Sequence, residues 1–147
     1  VYNDIGEIYS VQGDDFKALD YFKKSLKIVL SVYGENHSQV SSIYDHIGEI
    51  YFAQKDYSKA LYYFEESLKI RLSLFGENHP EVALSYYSIG SLYIIQGDKS
   101  KALNYYEKSL KIRLSVYGEN HPLTKEIMDL INVAANSKVL QSPETTK

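Results

Sequence analysis

The sequence predicts an all-α protein built as an array of antiparallel helix pairs: three pairs and a last, cap-like helix. Three observations predict it. The string Gly-Glu-Asn-His occurs at Gly34–His37, Gly76–His79 and Gly118–His121, a spacing of 42 residues. Segments 44–85 and 86–127 are identical at more than half of their aligned positions, which marks an internal repeat. Within each repeat, apolar residues return at steps of three and four, the signature of a helix with one buried face.

The first unit, 1–43, is truncated at its start. Tyr2, Ile5, Gly6 and Tyr9 pattern its first helix, and Ala18, Phe22, Ser25 and Leu26 its second. Val1 falls inside this patterned segment, so the expectation is a fragment with further repeats upstream, where any targeting signal would lie. In the second unit, 44–85, Ile43, Ile47, Ile50 and Tyr51 form one stripe, and Gln54-Lys55-Asp56 interrupts it. The next stripe is Ala60, Leu61, Phe64, Leu68 and Leu72, with Asp56 or Ser58 positioned to accept the free amide hydrogens of its first turn. Gly76 is the expected left-handed stop. Pro80 then opens the following helix without losing a needed donor, capped by Asn78 or His79.

The third unit, 86–127, repeats this plan with Gly97-Asp98, Gly118 and Pro122. Ile127, Met128, Leu130, Ile131 and Ala134 pattern a last helix over about 122–136, and residues 137–147 read as a flexible polar tail. Gly48 inside a helix should cost about 1 kcal/mol relative to Ala. Its return as Gly6 and Gly90 implies that a bulky residue such as Phe64 packs there. One pair cannot bury its own apolar face, so pairs stack. Leu68→Ala should then cost about 2–5 kcal/mol.

Tyr44-x2-Ile47-Gly48-x2-Tyr51, followed by Ala60, Phe64 and Ser67, resembles the tetratricopeptide repeat. The other units supply Tyr2, Ile5, Gly6, Tyr9, Ala18, Phe22, Ser25 and Tyr86, Ile89, Gly90, Tyr93, Ala102, Tyr106, Ser109. The 42-residue length and the Gly-x-x-His-Pro ending resemble the repeats of kinesin light chains. The resemblance implies a right-handed superhelical α-solenoid whose first helices line a concave groove. It also implies a protein-interaction scaffold rather than an enzyme.

Composition excludes several other functions. The net charge of −3 gives no support to a general nucleic-acid surface. With 0 Cys there is no disulfide framework, thiolate metal site or cysteine nucleophile, and the composition fits a cytoplasmic protein. No apolar run approaches the roughly 20 residues of a membrane span. GxGxxG, P-loop, HExxH and GxSxG motifs are all missing, so no cofactor, metal or catalytic residue is assigned. His37, His79 and His121 sit in separate repeats and read as caps or packing groups. For His46, groove contact and simple exposure remain equally open. Glu65/Glu66 and Asp14/Asp15 are sequence neighbours that do not converge on one point of a helix. Lys23, Lys24, Lys27, Lys69 and Lys111 read as a solvated outer face. Asn36-His37-Ser38 matches a glycosylation sequon by accident of a repeated loop.

Transferred by position, the resemblance places Asn3 and Glu7 of the first unit in the groove. It adds Asp45, Glu49 and Phe52 of the second, then Tyr87, Ser91, Ile94 and Ile95 of the third. Glu7, Asp45 and Glu49 would make one part acidic; Phe52, Tyr87, Ile94 and Ile95 would make the next apolar. Asp45 and Tyr87 stand where a carboxylate-binding clamp of this family wants Lys or Arg, which speaks against capture of acidic chaperone tails. The expected partner is a protein segment with apolar or aromatic anchors and nearby Lys or Arg. The chain is expected to be a monomer. The alternative is a structural module that stacks end to end within a larger repeat protein.

Overall fold

The computed structural model describes residues 1–137; the tail expected at 137–147 lies, beyond its first residue, outside them. Among the described residues there are seven α-helices and no strand. They are α1 (Tyr2–Val11), α2 (Asp15–Tyr33), α3 (Ser38–Ala53), α4 (Tyr57–Phe75), α5 (Pro80–Ile95), α6 (Lys99–Tyr117) and α7 (Pro122–Asn136). α1/α2, α3/α4 and α5/α6 form the pairs, successive pairs stack, and α7 packs on α6.

The repeat fixes the helix ends. Asp14, Asp56 and Asp98 accept from the backbone N–H of Lys17, Lys59 and Lys101 at 3.1, 3.3 and 3.1 Å, capping the second helix of each pair. Each lysine returns its ammonium to that aspartate at 3.2–3.6 Å. It also lies 5.0–5.2 Å from the ring centre of Tyr9, Tyr51 or Tyr93. Of the two residues expected to cap α5, His79 does so: its Nδ1 accepts from Glu81 N at 3.1 Å. His37 and His121 cap α3 and α7 in the same way. Their rings stack on Tyr33, Phe75 and Tyr117 at 4.2–4.4 Å.

Gly76 has the expected positive φ of 77°, but its ψ is −178°. The chain therefore leaves the helix extended instead of turning through the left-handed helical well, which carries it straight to the His79 cap. In the turn within each pair, Lys55 adopts φ 62° where the other pairs place Gly13 and Gly97.

Gly48 does what its recurrence implied. A Cβ there would stand 2.8 Å from the Phe64 ring, and one at Gly90 would stand 2.7 Å from Tyr106. The core runs as a series of seams: Phe22, Ile47 and Ile50, then Phe64, Ile89 and Leu92, then Val82, Ala83 and Ile112. Leu68 is half-buried and bridges the last two seams. Tyr106 is buried, whereas most other tyrosines are half-buried and pack between pairs. At the far end, Lys99 Nζ donates to the carbonyls of Ala135 and Ser137 at 3.1 Å each, placing a cation on the C-terminus of α7. No helix among the described residues is long and apolar enough to cross a membrane.

Candidate functional site

The first helices α1, α3 and α5 carry the groove residues expected from the sequence. In the acidic part each charge has a neighbour. Asn3 Nδ2 donates to Glu7 Oε1 at 2.7 Å. His46 reaches the same oxygen through Nε2 at 3.3 Å, and its Nδ1 lies 3.9 Å from Glu49 Oε2. The His46 ring is stacked on Phe22, with centroids 5.0 Å apart and planes 4° from parallel. The carboxylate of Glu49 above all, with the charges of Glu7 and Asp45, raises the imidazole pKa against the opposing effect of burial. His46 is half-buried rather than simply exposed, and through Glu7 it joins α1 to α3.

Asp45 differs from the expectation that it would await a cation from outside. Its carboxylate lies 2.6 Å from Nη1 of Arg71 on α4. The same guanidinium reaches Glu81 at 3.0 Å and donates to Ser85 Oγ at 2.8 Å. Burial pushes the Asp45 carboxyl up, and Arg71 pulls it back down. Glu49 is the most exposed acid of this stretch, with 68% of its side chain open to solvent against 47% for Glu7, which is already bonded to Asn3.

Arg71 escaped the sequence reading, and so did Arg113, one repeat later on α6. They are 3% and 4% exposed. A signal for them existed: Ala60, Phe64, Ser67 and Arg71 fall on one helical face, as do Ala102, Tyr106, Ser109 and Arg113. A charged residue recurring on a buried stripe needs a buried partner. The first pair has Val29 at the equivalent place.

In the apolar part, Phe52 is half-buried between the second and third pairs and meets Tyr57 edge-on at 5.8 Å. Tyr87 packs on Tyr106 at 6.2 Å and lies beneath the Arg113 guanidinium, 5.3 Å from its centre. Ser91 is bonded to the Tyr106 hydroxyl at 3.1 Å. Ile94 and Ile95 stay exposed at the end of α5. The structure brings Asn3, Glu7 and Glu49 together around His46. Tyr87 and Ser91 share Tyr106, and Ile94 and Ile95 stand beyond them. A cleft of about 860 Å³ opens at the first pair, lined by Tyr2, Glu7, Val29, Val32, Ser42 and His46. Among the described residues no group of three or more His, Cys, Asp or Glu side chains could hold a metal ion.

Comparison with known proteins bears on both fold and family. A tetratricopeptide repeat model matches residues 1–73 and again 41–115. No curated protein matches. Among solved structures, BtubC (BKLC) from P. vanneervenii superposes with a TM-score of 0.83 at 24% identity, over 90% of this chain and 53% of that one. Nearly identical TPR-like repeats of a kinesin-light-chain-type protein from Podosopora anserina give 0.78 at 16% identity, covering 90% and 63%. The N-terminal domain of stress-induced protein-1 from C. elegans gives 0.62 at 20%, covering 88% and 91%. This chain thus spans about half of the first of these and under two thirds of the second. The stacked pairs, the glycine-to-ring contact inside each pair and the matched residues agree: the chain belongs to the tetratricopeptide repeat family.

Proposed function

We propose that the chain is a non-catalytic scaffold whose first-helix groove takes a short segment of a partner protein. The observation that carries this reading is the apolar run Tyr87, Ile94 and Ile95. It is left half-buried or exposed on α5, one helix away from the exposed carboxylate of Glu49. The partner segment presents aromatic or apolar anchors to that run and a Lys or Arg to Glu49. Phe52 contributes an edge, because much of its ring is already packed between pairs. Asp45 does not receive the cation, since Arg71 holds it.

A basic-aromatic peptide library titrated against the wild-type chain tests the reading. Ile94→Ser and Glu49→Lys should each weaken the selected peptides by about tenfold, or about 1.4 kcal/mol. Both side chains are exposed, so folding is expected to survive either change. Peptides that bind both variants as tightly as the wild type would reject the groove assignment.

A further inference from the structure

The repeat places a lysine over tyrosine rings in two of the three pairs, and the middle pair departs from this. In the third unit, Lys108 Nζ on α6 stands 5.5 Å from the ring centre of Tyr86 and 5.2 Å from that of Tyr105. In the first unit, Lys24 on α2 stands 5.1 Å from the ring centre of Tyr21 and pairs with Asp20 at 2.7 Å. The negative face of the ring attracts an ammonium held there. The second unit keeps the rings: Tyr44 and Tyr63 lie 5.7 Å apart. At the lysine position, however, it carries Glu66, and where the other units have Asp20 and Asn104 it adds a further ring, Tyr62.

The result is a cleft of about 340 Å³ whose lining includes Glu35, Tyr44, Tyr62, Glu66 and Lys69. Asn36 donates to Ser73 Oγ at 3.2 Å and so ties the loop that carries Glu35 to α4. Tyr62 is 57% exposed and meets Tyr63 edge-on at 5.2 Å. Burial, then Tyr62 and the charges of Glu66 and Glu35, pushes the Tyr44 phenol up, so both carboxylates bear on that ring. Among the described residues, neither Glu35 nor Glu66 enters an ion pair. Nor does a cation stand over Tyr44, Tyr62 or Tyr63 among them. Two carboxylates thus line the cleft against one ammonium, that of Lys69.

We infer that this cleft takes a lysine side chain of a partner protein. The incoming ammonium lies over Tyr44 and Tyr63, the place that Lys24 and Lys108 fill in the neighbouring units, and Glu35 and Glu66 neutralise it. Two observations carry the assignment. One is charge complementarity. The other is the chain's own use of lysine at the equivalent place in both other units. The cleft shares no residue with the groove, so it does not depend on peptide capture there.

The test titrates the isotope-labelled full chain with Nα-acetyl-lysine amide at low salt, followed by NMR. A single ammonium on an open cleft should saturate with a dissociation constant in the millimolar range. Shifts are expected at Glu35, Tyr44, Tyr62 and Glu66. The norleucine counterpart, which keeps the stem and lacks the ammonium, should give none. Tyr62→Asn combined with Glu66→Lys gives the middle unit the side chains that the third unit carries, so the chain supplies its own cation. Binding should then fall at least about tenfold. That combination is already accommodated on α6, so circular dichroism of the variant should match the wild type. Lys69→Gln removes the competing ammonium and should tighten binding about twofold. The inference fails if the lysine derivative gives no saturable shifts, or if the norleucine derivative gives the same ones. It also fails if the double variant binds as tightly as the wild type, or if Lys69→Gln weakens binding, which would mean that the cleft favours anions. Binding of the trimethylated lysine derivative alone would overturn the choice of lysine in favour of a quaternary ammonium.

Discussion

Arg71 and Arg113 occupy the same point of consecutive repeats and are almost equally buried, yet they meet different surroundings. Arg71 has two carboxylates, Asp45 and Glu81, and the Ser85 hydroxyl. Arg113 finds Tyr87 where Asp45 would be and Leu123 where Glu81 would be. It donates to the Leu123 carbonyl at 2.8 Å and has Glu126 at 3.6 Å. Desolvation accordingly lowers its pKa, with Glu126 opposing. The backbone repeat reproduces the cavity for the arginine side chain but not its neutralisation. Two positions decide that: Asp45 against Tyr87 on the first helices, and Glu81 against Leu123 at the start of the following helix. One half of the groove therefore spends an acidic residue on internal charge balance, and the other spends an aromatic one.

The largest expected effect that would break this contrast comes from Arg71→Met. It leaves Asp45 mostly buried without its cation and should cost about 3–5 kcal/mol of folding stability, read by urea unfolding. A loss below about 1 kcal/mol would mean that water screens the pair. Adding Asp45→Leu to that variant removes the orphaned charge and should restore about 1–3 kcal/mol, because an apolar pair of similar volume often replaces a buried ion pair without loss. Arg113→Met should cost only about 1 kcal/mol, since its carboxylate partner Glu126 is half exposed and remains hydrated. Equal losses at the two arginines would erase the distinction between the halves.

The smallest effect concerns His46, which belongs to the acidic half alone. Its folded pKa is raised above the ordinary 6.5. The contribution is therefore fully present below that ordinary value and is lost as pH rises through the folded pKa. The wild type should melt slightly higher at pH 6 than at pH 8, and His46→Gln should remove that part of the slope. An unchanged slope would show that Glu7 and Glu49 do not hold the proton.

Much of the fold is legible in the residues because each device is local. Asp56 and His79 cap within three residues, Gly76 stops a helix by its own φ, and Gly48 announces the ring of Phe64 by its recurrence. Periodicity and a 42-residue register carry the stacking, since a pair with one apolar stripe has only another pair to bury it against. The site is less legible. Glu49, Ile94 and Ile95 are exposed as their positions implied, whereas Asp45 reads from sequence as an open acid and turns out to be closed by Arg71.

By itself the sequence determined the helices, their pairing and the order of the pairs, because caps, turns and helical stripes act over a few residues. Only the tertiary structure decided which charges are spent inside and which surfaces stay open. Arg71 meets Asp45 from 26 residues further along the chain, so Asp45 is closed while Glu49, one turn away, stays open. Such contacts depend on how one pair is set against the next, and burial and charge balance are properties of that packing.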